Sequence, residues 1–410
     1  MNVLFVCHNG FASNSMNHIA GFAAGLRRLG NACVVAVPEI YRDSAAVLGN
    51  TPPFRPMCFA QTWEDPRGLF PDGQPVDVIH AWTPRENVRR AVARCRAAMP
   101  AADLVIHLED NEEHLSAAYL EAGGHPPRAL TDRETDRTLP LNLAYPRRAT
   151  NFLRSADALT GIIAPLEDFA PRGTPFAEIW PAVDFDLYHT GPPDPELKQS
   201  LGILPEEKVL CYTGNSHFAN GAELATLYEA VFLLNRRGTP CRLVRTGVDA
   251  ADFTARFDVA DLGAHVLPLG FVAAERLPGL LRLADVLVQP GADDAFNRHR
   301  LPSKLPEFLA VGRPVVMPRS NVGLRVRAGE EALLLETGGP EEIAARCEQV
   351  FTDPALGNRL SAGAASFARQ HFDGSANARL LSDFYQRACL LWNRPTRAVT
   401  PPPQLPSTRR

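Results

Sequence analysis

The sequence predicts an α/β protein built as two tandem doubly wound, Rossmann-like domains facing a cleft. Three observations predict it. Short apolar runs alternate with amphipathic helical patterns along almost the whole chain. The runs are near-continuous rather than alternating, as in strands buried on both faces of a parallel sheet. One stretch rich in proline and polar residues, "YHTGPPDPELKQSLGILPEE", interrupts the series, which then starts again.

The elements follow in order. "NVLFVCHNG" reads as a buried strand ending in a loop. A helix pattern over about Asn17 to Leu29 is closed by Gly30, and "ACVVAVP" is a second strand. "VDVIHAW" and "DLVIHLEDNEEHL" repeat the arrangement of strand, polar cluster and helix. "ADALTGIIAPL" and "FAEIWPAVD" end this first domain, expected over 1–190. A linker over 191–206 leads to the second domain, expected over 207–375. There "KVLCYTGN" is strand then loop, and "GAELATLYEAVFLLNRRG" is a helix with a glycine stop. "CRLVRTG", "AHVLPLGFV", "ADVLVQPG" and "RPVVMP" are further strands, with a short helix allowed at about Asp252 to Phe257. Two helical patterns without a strand between them close the chain, the last expected over 376–393. The Pro-rich tail 394–410 reads as disordered.

Composition narrows the function classes. The chain has 410 residues, 45% hydrophobic and 21% charged, with a formal net charge of −4. That balance fits a soluble globular chain with no global field for nucleic acid. Eight cysteines are scattered without a C-x-x-C pair, so neither a zinc site nor a disulfide framework is indicated, and a reducing cytosol fits. No signal peptide or membrane span is expected. In "RENVRRAVARCRAAM" the apolar residues Val88, Val92, Cys95 and Met99 share one face and the arginines lie elsewhere. Two readings fit: an outer solvated helix, or one that lies on an anionic membrane surface.

The densest chemistry lies in "FNRHRLPSKLPEFLAVGRPVV", residues 296–316. Arg298, His299, Arg300 and Lys304 gather where a helix is expected to begin, with Pro302 in its first turn, Ser303 as cap and Gly312 as stop. Free N–H groups and the positive end of a helix attract anions. Arg300 and Lys304 would add full charges, which describes a diphosphate pocket. Glu307, one turn further, could accept hydrogen bonds from sugar hydroxyls. The alternative is a solvated basic loop with Glu307 paired to Lys304 or Arg300. At the strand ends, Glu109 and Asp110 could bind hydroxyls or act as a base, or could only cap the next helix. His107 lies inside an apolar run and reads as a buried histidine. No metal site is expected; "DDAF" at Asp293 and Asp294 is the nearest carboxylate pair.

These segments, in this order, resemble the large retaining family of GT-B glycosyltransferases (family 4-like, glycosyl transferases group 1). "PSKLPEFLAVGRPVVMP" looks like its donor-binding segment, and "ADVLVQPG" like the strand and loop before it. "LGFVAAERLPGLLRLAD", with Phe271 and Val272, is similar to the stretch whose backbone holds the nucleotide base. "WPAVDFDLYH" resembles the end of the N-terminal domain, and "VLCYTGN", with Gly214 and Asn215, the first strand and loop of the C-terminal domain. The resemblance implies that Glu307 binds the ribose. It implies that Gly10, Ser13, Asn14, Ser15 and Asn17, in the loop after the first strand, lie at the cleft near donor phosphate and acceptor. It also implies that the last helix crosses back onto the N-terminal domain.

The chain departs from the family pattern. The first glutamate of the family's Glu-x7-Glu signature is His299 here, so His299, Asn297 or Asp294 would have to serve near the transferred sugar. The usual arginine and lysine after the first C-terminal strand fall on Asn215 and Asn220. Arg245 and Gly247 of "LVRTG", with Arg300 and Lys304, are the expected replacements on the diphosphate.

The resemblance implies a transferase that moves a sugar from a nucleotide-diphosphate donor, with retention and without metal or other cofactor. The acceptor is left open among glycan, lipid and small molecule. Glu109, His299 and Asn297 are the expected catalytic residues. The expected location is the cytoplasm, with contact to the inner membrane face left open. Two other readings remain: a non-catalytic GT-B protein that binds nucleotide or glycan, motivated by the departures, and a nucleotide-sugar epimerase sharing the two-domain fold.

Overall fold

The computed structural model describes residues 1–49, 51–71, 73–125, 130–216, 219–250, 253–257 and 265–390. The expected tail 394–410 lies outside the described residues.

Two parallel sheets organise the chain. The first has seven strands: β1 (Asn2–Cys7), β2 (Ala32–Val37), β3 (Arg55–Cys58), β4 (Val78–Trp82), β5 (Asp103–Leu108), β6 (Ala158–Gly161) and β7 (Phe176–Glu178). Their spatial order is β3-β2-β1-β4-β5-β6-β7. The second has six: β8 (Lys208–Tyr212), β9 (Cys241–Arg245), β10 (Val266–Pro268), β11 (Val286–Val288), β12 (Val315–Pro318) and β13 (Leu333–Leu335). Their order is β10-β9-β8-β11-β12-β13. In each sheet the first strand stands where the winding reverses. Val3 of β1 pairs with Cys33 on one side and Val78 on the other, and Leu210 of β8 with Leu243 and Val286. In such sheets ligands bind beyond the carboxyl ends of the strands at that reversal.

The central strands are apolar because both faces are covered. β1 is buried along its whole length. One face of the first sheet packs Val3, Phe5 and Trp82 against Ile19 and Phe22 of the helix Asn14–Arg28. The final helix, Gly374–Leu390, joins that same cluster through Leu381, Phe384 and Tyr385. The Tyr385 hydroxyl lies 2.6 Å from His80 Nδ1 on β4, and Asn377 donates to the Trp180 carbonyl at 3.0 Å. The chain therefore crosses back from the second sheet onto the first. A Cβ at Gly25 would sit 2.2 Å from Ala378 Cβ, so glycine allows these two helices to approach.

Three differences from the expected elements have local causes. β3 and β13 add an edge strand to each sheet; both are short and one has an exposed start, so neither shows a period. The helix expected over Ser303–Val311 is six residues, Leu305–Ala310. Lys304 occupies its N-cap without a side-chain cap bond, and the proline in its first turn is Pro306, not Pro302. Gly312, at φ 64°, does close it.

Candidate active site

The first-domain wall of the cleft begins after β1. Ser13 caps the helix Asn14–Arg28, its hydroxyl accepting from the Met16 N–H at 3.3 Å. Gly10 packs so closely on Tyr41 and Ser44 that a Cβ would stand 2.8 Å from the Ser44 hydroxyl. Asn14 reaches across to the second domain and donates to the Ser303 hydroxyl at 3.3 Å. Ser15 points inward and donates to Glu109 Oε2 at 2.5 Å, while His18 Nδ1 lies 3.0 Å from Oε1. Burial alone would raise the Glu109 carboxyl, but the hydrogen bond and charge of His18 outweigh it and hold it well below the usual range. Glu109 is thus an ionised, spoken-for carboxylate.

The neighbouring strand ends are strained and charged. Thr83 follows β4 at φ 71°, fully buried, with its N–H bonded to the His107 carbonyl at 3.0 Å. A β-branched residue in that region costs on the order of 1–3 kcal/mol and marks a site that the surrounding structure holds in place. Asp110 is pushed up to about 7 by burial and by Glu112 and Glu109, with Arg85 and Arg300 opposing. His107 is buried; burial takes it down to about 3, and its Nδ1 meets the Thr160 hydroxyl at 2.8 Å.

The second-domain wall starts at Gly214 (φ 121°) and Gly247 (φ 92°), whose loops touch. A Cβ at Gly247 would fall 2.4 Å from the Gly214 carbonyl oxygen, so only glycine fits. Asn215 accepts from the Val248 N–H at 2.8 Å, and Asn220 donates to the Asn215 carbonyl at 3.0 Å. Asn215 ties the two loops together, and Asn220 closes the first loop on itself.

The basic cluster is mostly neutralised. Arg298 pairs with Asp293 at 2.9 Å, and His299 Nε2 lies 3.0 Å from Asp168 across the domain boundary. Arg300 donates to Glu223 at 2.7 Å and to Asn297 at 2.9 Å. Asn297 is fully buried and donates to Glu223 at 2.5 Å. Arg245, also fully buried, pairs with Asp249 and donates to the Thr246 carbonyl at 3.1 Å. Lys304 differs. Among the described residues its ammonium meets only neutral oxygens, the Tyr212 hydroxyl at 3.2 Å and Gln289 Oε1 at 3.3 Å, above the Tyr212 ring. It also lies against Gly214, 3.2 Å from where a Cβ would be.

Glu307 sits behind Lys304. Burial raises its carboxyl to about 7; the Tyr188 hydroxyl and the charge of Lys304 pull the other way. Phe271 is 89% exposed, beside the half-buried Val272 and one residue after Gly270, whose carbonyl accepts from the Gly247 N–H at 2.7 Å.

The structure therefore brings the loop with Gly10, Ser13, Asn14 and Ser15 together with Glu109 on one side, and Gly214, Ser303, Lys304 and Glu307 on the other. The sequence places Asn297, Arg245 and Arg300 at the donor and the transferred sugar; in the structure all three are engaged in ion pairs and hydrogen bonds within the second domain. Ser303 bonds across the cleft instead of capping a helix. Sequence reasoning missed His18, Glu223, Asp168 and Tyr188. His18 lies one helical turn after Asn14, a spacing that could have found it. Glu223 is 74 positions from Asn297, and nothing local pairs them.

Residues 207–353 match the family model "Glycosyl transferases group 1". The D-inositol 3-phosphate glycosyltransferase of Rhodococcus erythropolis is 28% identical over 224 residues, 53% of this chain and 49% of that protein. The chain spans about half the length of the curated relatives it matches. Among solved structures, Anabaena Alr3699/HepE with UDP and glucose superposes at a TM-score of 0.70 with 17% identity, covering 94% of this chain and 99% of that one. Sucrose-phosphate synthase of Thermosynechococcus elongatus gives 0.70 with 13% identity, covering 95% and 100%. The fold is that of the GT-B proteins. Within that fold, the second domain is the part that matches the group 1 glycosyl transferase model.

Proposed function

We propose that the chain transfers a sugar from a nucleotide-diphosphate donor to a hydroxyl acceptor, with the donor on the second domain and the acceptor on the first. One observation carries the reading. Lys304 is a half-buried cation with no carboxylate partner among the described residues, set at the strand reversal with its side chain packed on Gly214, where a Cβ would stand 3.2 Å from it. A diphosphate supplies the missing negative charge. As the glycosidic bond breaks, charge grows on that diphosphate, and an ammonium already in place stabilises the transition state. The segment lies inside the matched region, and the Anabaena neighbour was solved with UDP and with UDP-glucose.

Glu307 holds the ribose in this reading, and the exposed Phe271 lies beside the base. The chain's own cation does the work of charge stabilisation, without a metal or other cofactor. The anomeric configuration is retained, as the resemblance implies. The acceptor is a glycan, a lipid or a small molecule. No described helix is long and apolar enough to cross a membrane. Contact with the anionic inner surface of a membrane, from the cytoplasm, belongs to this reading through the arginine-rich helix Glu86–Ala98, although Arg89 and Arg90 are paired with Glu86 at 2.7 Å.

The test is turnover. UDP-glucose, GDP-mannose, ADP-glucose and dTDP-glucose are incubated with the protein, and release of the nucleotide diphosphate is followed. Release from one donor, accelerated by a cell extract that supplies acceptor, is expected. Binding without release from any donor would favour a non-catalytic role instead.

A further inference from the structure

We infer that Gln289 and Tyr212 are positioning residues of this site: two neutral oxygens that hold the Lys304 ammonium, leave one of its hydrogens for a ligand and keep its charge unpaired for a diphosphate. The inference rests on the donor reading above and extends it to residues outside the donor segment.

The three side chains meet at the strand reversal. Tyr212 is the last residue of β8 and Gln289 directly follows β11, the strand paired with β8 at that point. Each is 2% exposed. A glutamine directly after a strand as apolar as "VLV" costs desolvation, which its hydrogen bonds must offset.

The hydrogen bonds give Gln289 a definite task. An ammonium has three hydrogens and no lone pair. One goes to the Tyr212 hydroxyl at 3.2 Å and one to Gln289 Oε1 at 3.3 Å. The Gln289 amide is fixed the right way round, because its Nε2 donates to the Pro290 carbonyl at 2.8 Å. Its oxygen is therefore the atom that faces Lys304. The Tyr212 ring faces the same nitrogen at 4.4 Å and adds a cation–π contact. Two hydrogen bonds and a ring face fix the nitrogen beside Gly214, and the third hydrogen is left for a ligand at the strand ends.

Neutrality distinguishes this cradle from its surroundings. The neighbouring basic side chains are matched with carboxylates: Arg245 with Asp249, Arg298 with Asp293, Arg300 with Glu223 and His299 with Asp168. Glu307 feels the charge of Lys304, yet among the described residues no ion pair joins them. A glutamate at 289 would have the size and reach of the glutamine and would cancel the charge. Glutamine orients the ammonium without cancelling it. A diphosphate then meets a full positive charge with one N–H already in place.

The experiment uses the full chain with Gln289→Glu, Gln289→Leu and Tyr212→Phe beside wild type and Lys304→Ala. Calorimetry with inorganic pyrophosphate and with UDP, GDP, ADP and dTDP reads binding, and the melting temperature reads folding. Gln289→Glu is expected to weaken pyrophosphate and the preferred nucleotide at least about tenfold while melting close to wild type, because it gives Lys304 a carboxylate partner of the same shape. Tyr212→Phe and Gln289→Leu, which each remove one anchor, are expected to weaken binding about three- to tenfold. A merely structural role would leave the affinity of a normally folded Gln289→Glu unchanged. Binding by that variant within about twofold of wild type overturns the inference. Should it fail to fold, Tyr212→Phe decides: affinity within about twofold of wild type overturns the inference, and a larger loss supports it. A wild type that binds none of these ligands, or a Lys304→Ala that binds as wild type does, overturns the donor reading itself, and the cradle falls with it.

Discussion

Glu307 titrates where it can be watched. Its carboxyl stands at about 7 against an ordinary 4.5, raised chiefly by burial, so the neutral acid is the form the fold prefers. Between these two values the folded chain holds more protons at this group than the unfolded chain does. Stability from this group is therefore full below pH 4.5 and is lost as pH rises towards 7, levelling above it. A shift of that size corresponds to about 3 kcal/mol. Asp110, also raised to about 7, adds a slope of the same sign, so the wild-type curve alone does not isolate Glu307. The perturbation is Glu307→Gln, which keeps the neutral shape and abolishes the titration. Urea denaturation of both proteins is followed at pH 5, 6, 7 and 8. Wild-type stability minus that of the variant is expected to fall by about 2.5 kcal/mol over this range. A difference that stays flat, or rises with pH, would refute the burial argument. The same group links to ligand: if ribose hydroxyls donate to the carboxylate, nucleotide binding releases protons near pH 7. Affinity then falls about tenfold per pH unit below 7 in wild type and not in Glu307→Gln.

Two other expectations follow from the second domain. Glu223→Ala strands the buried Arg300 guanidinium and leaves Asn297 without its 2.5 Å acceptor. It should cost about 3–5 kcal/mol in a thermal or urea melt, and adding Arg300→Met should recover much of that; a loss under about 1 kcal/mol would show that the pair is solvated. Phe271→Ala removes a side chain that is 89% exposed. It should leave stability within about 0.5 kcal/mol yet weaken nucleotide binding about five- to tenfold by losing a stacking face. Unchanged affinity would take Phe271 out of the donor site.

The fold was legible because parallel strands buried on both faces must be apolar throughout. "NVLFVC" and "KVLCY" announce themselves in this way, and glycines such as Gly312 mark stops. The edge strands were not legible: Arg55 and Pro56 of β3 are exposed, and β13 is three residues long. At the site, the sequence identified the charged segment but not its pairing. Charge pattern says how many cations stand near 300, whereas their availability depends on Glu223, Asp168 and Asp293, brought in by the fold. Lys304 and Arg300 looked equivalent in the sequence. One faces neutral oxygens and the other a carboxylate. The role of Glu109 was half legible: its strand end placed it at the cleft, but its partners Ser15 and His18 come from a helix some 90 residues earlier, with separations of 94 and 91.

The central claim is that Lys304 meets a nucleotide diphosphate. Calorimetric titration of UDP, GDP, ADP and dTDP into wild type and Lys304→Ala tests it most directly. The account predicts that one of the four binds preferentially and that Lys304→Ala weakens it at least about tenfold, the worth of a charge-assisted hydrogen bond. Equal affinity in the variant, or no binding of any of the four to wild type, would contradict it.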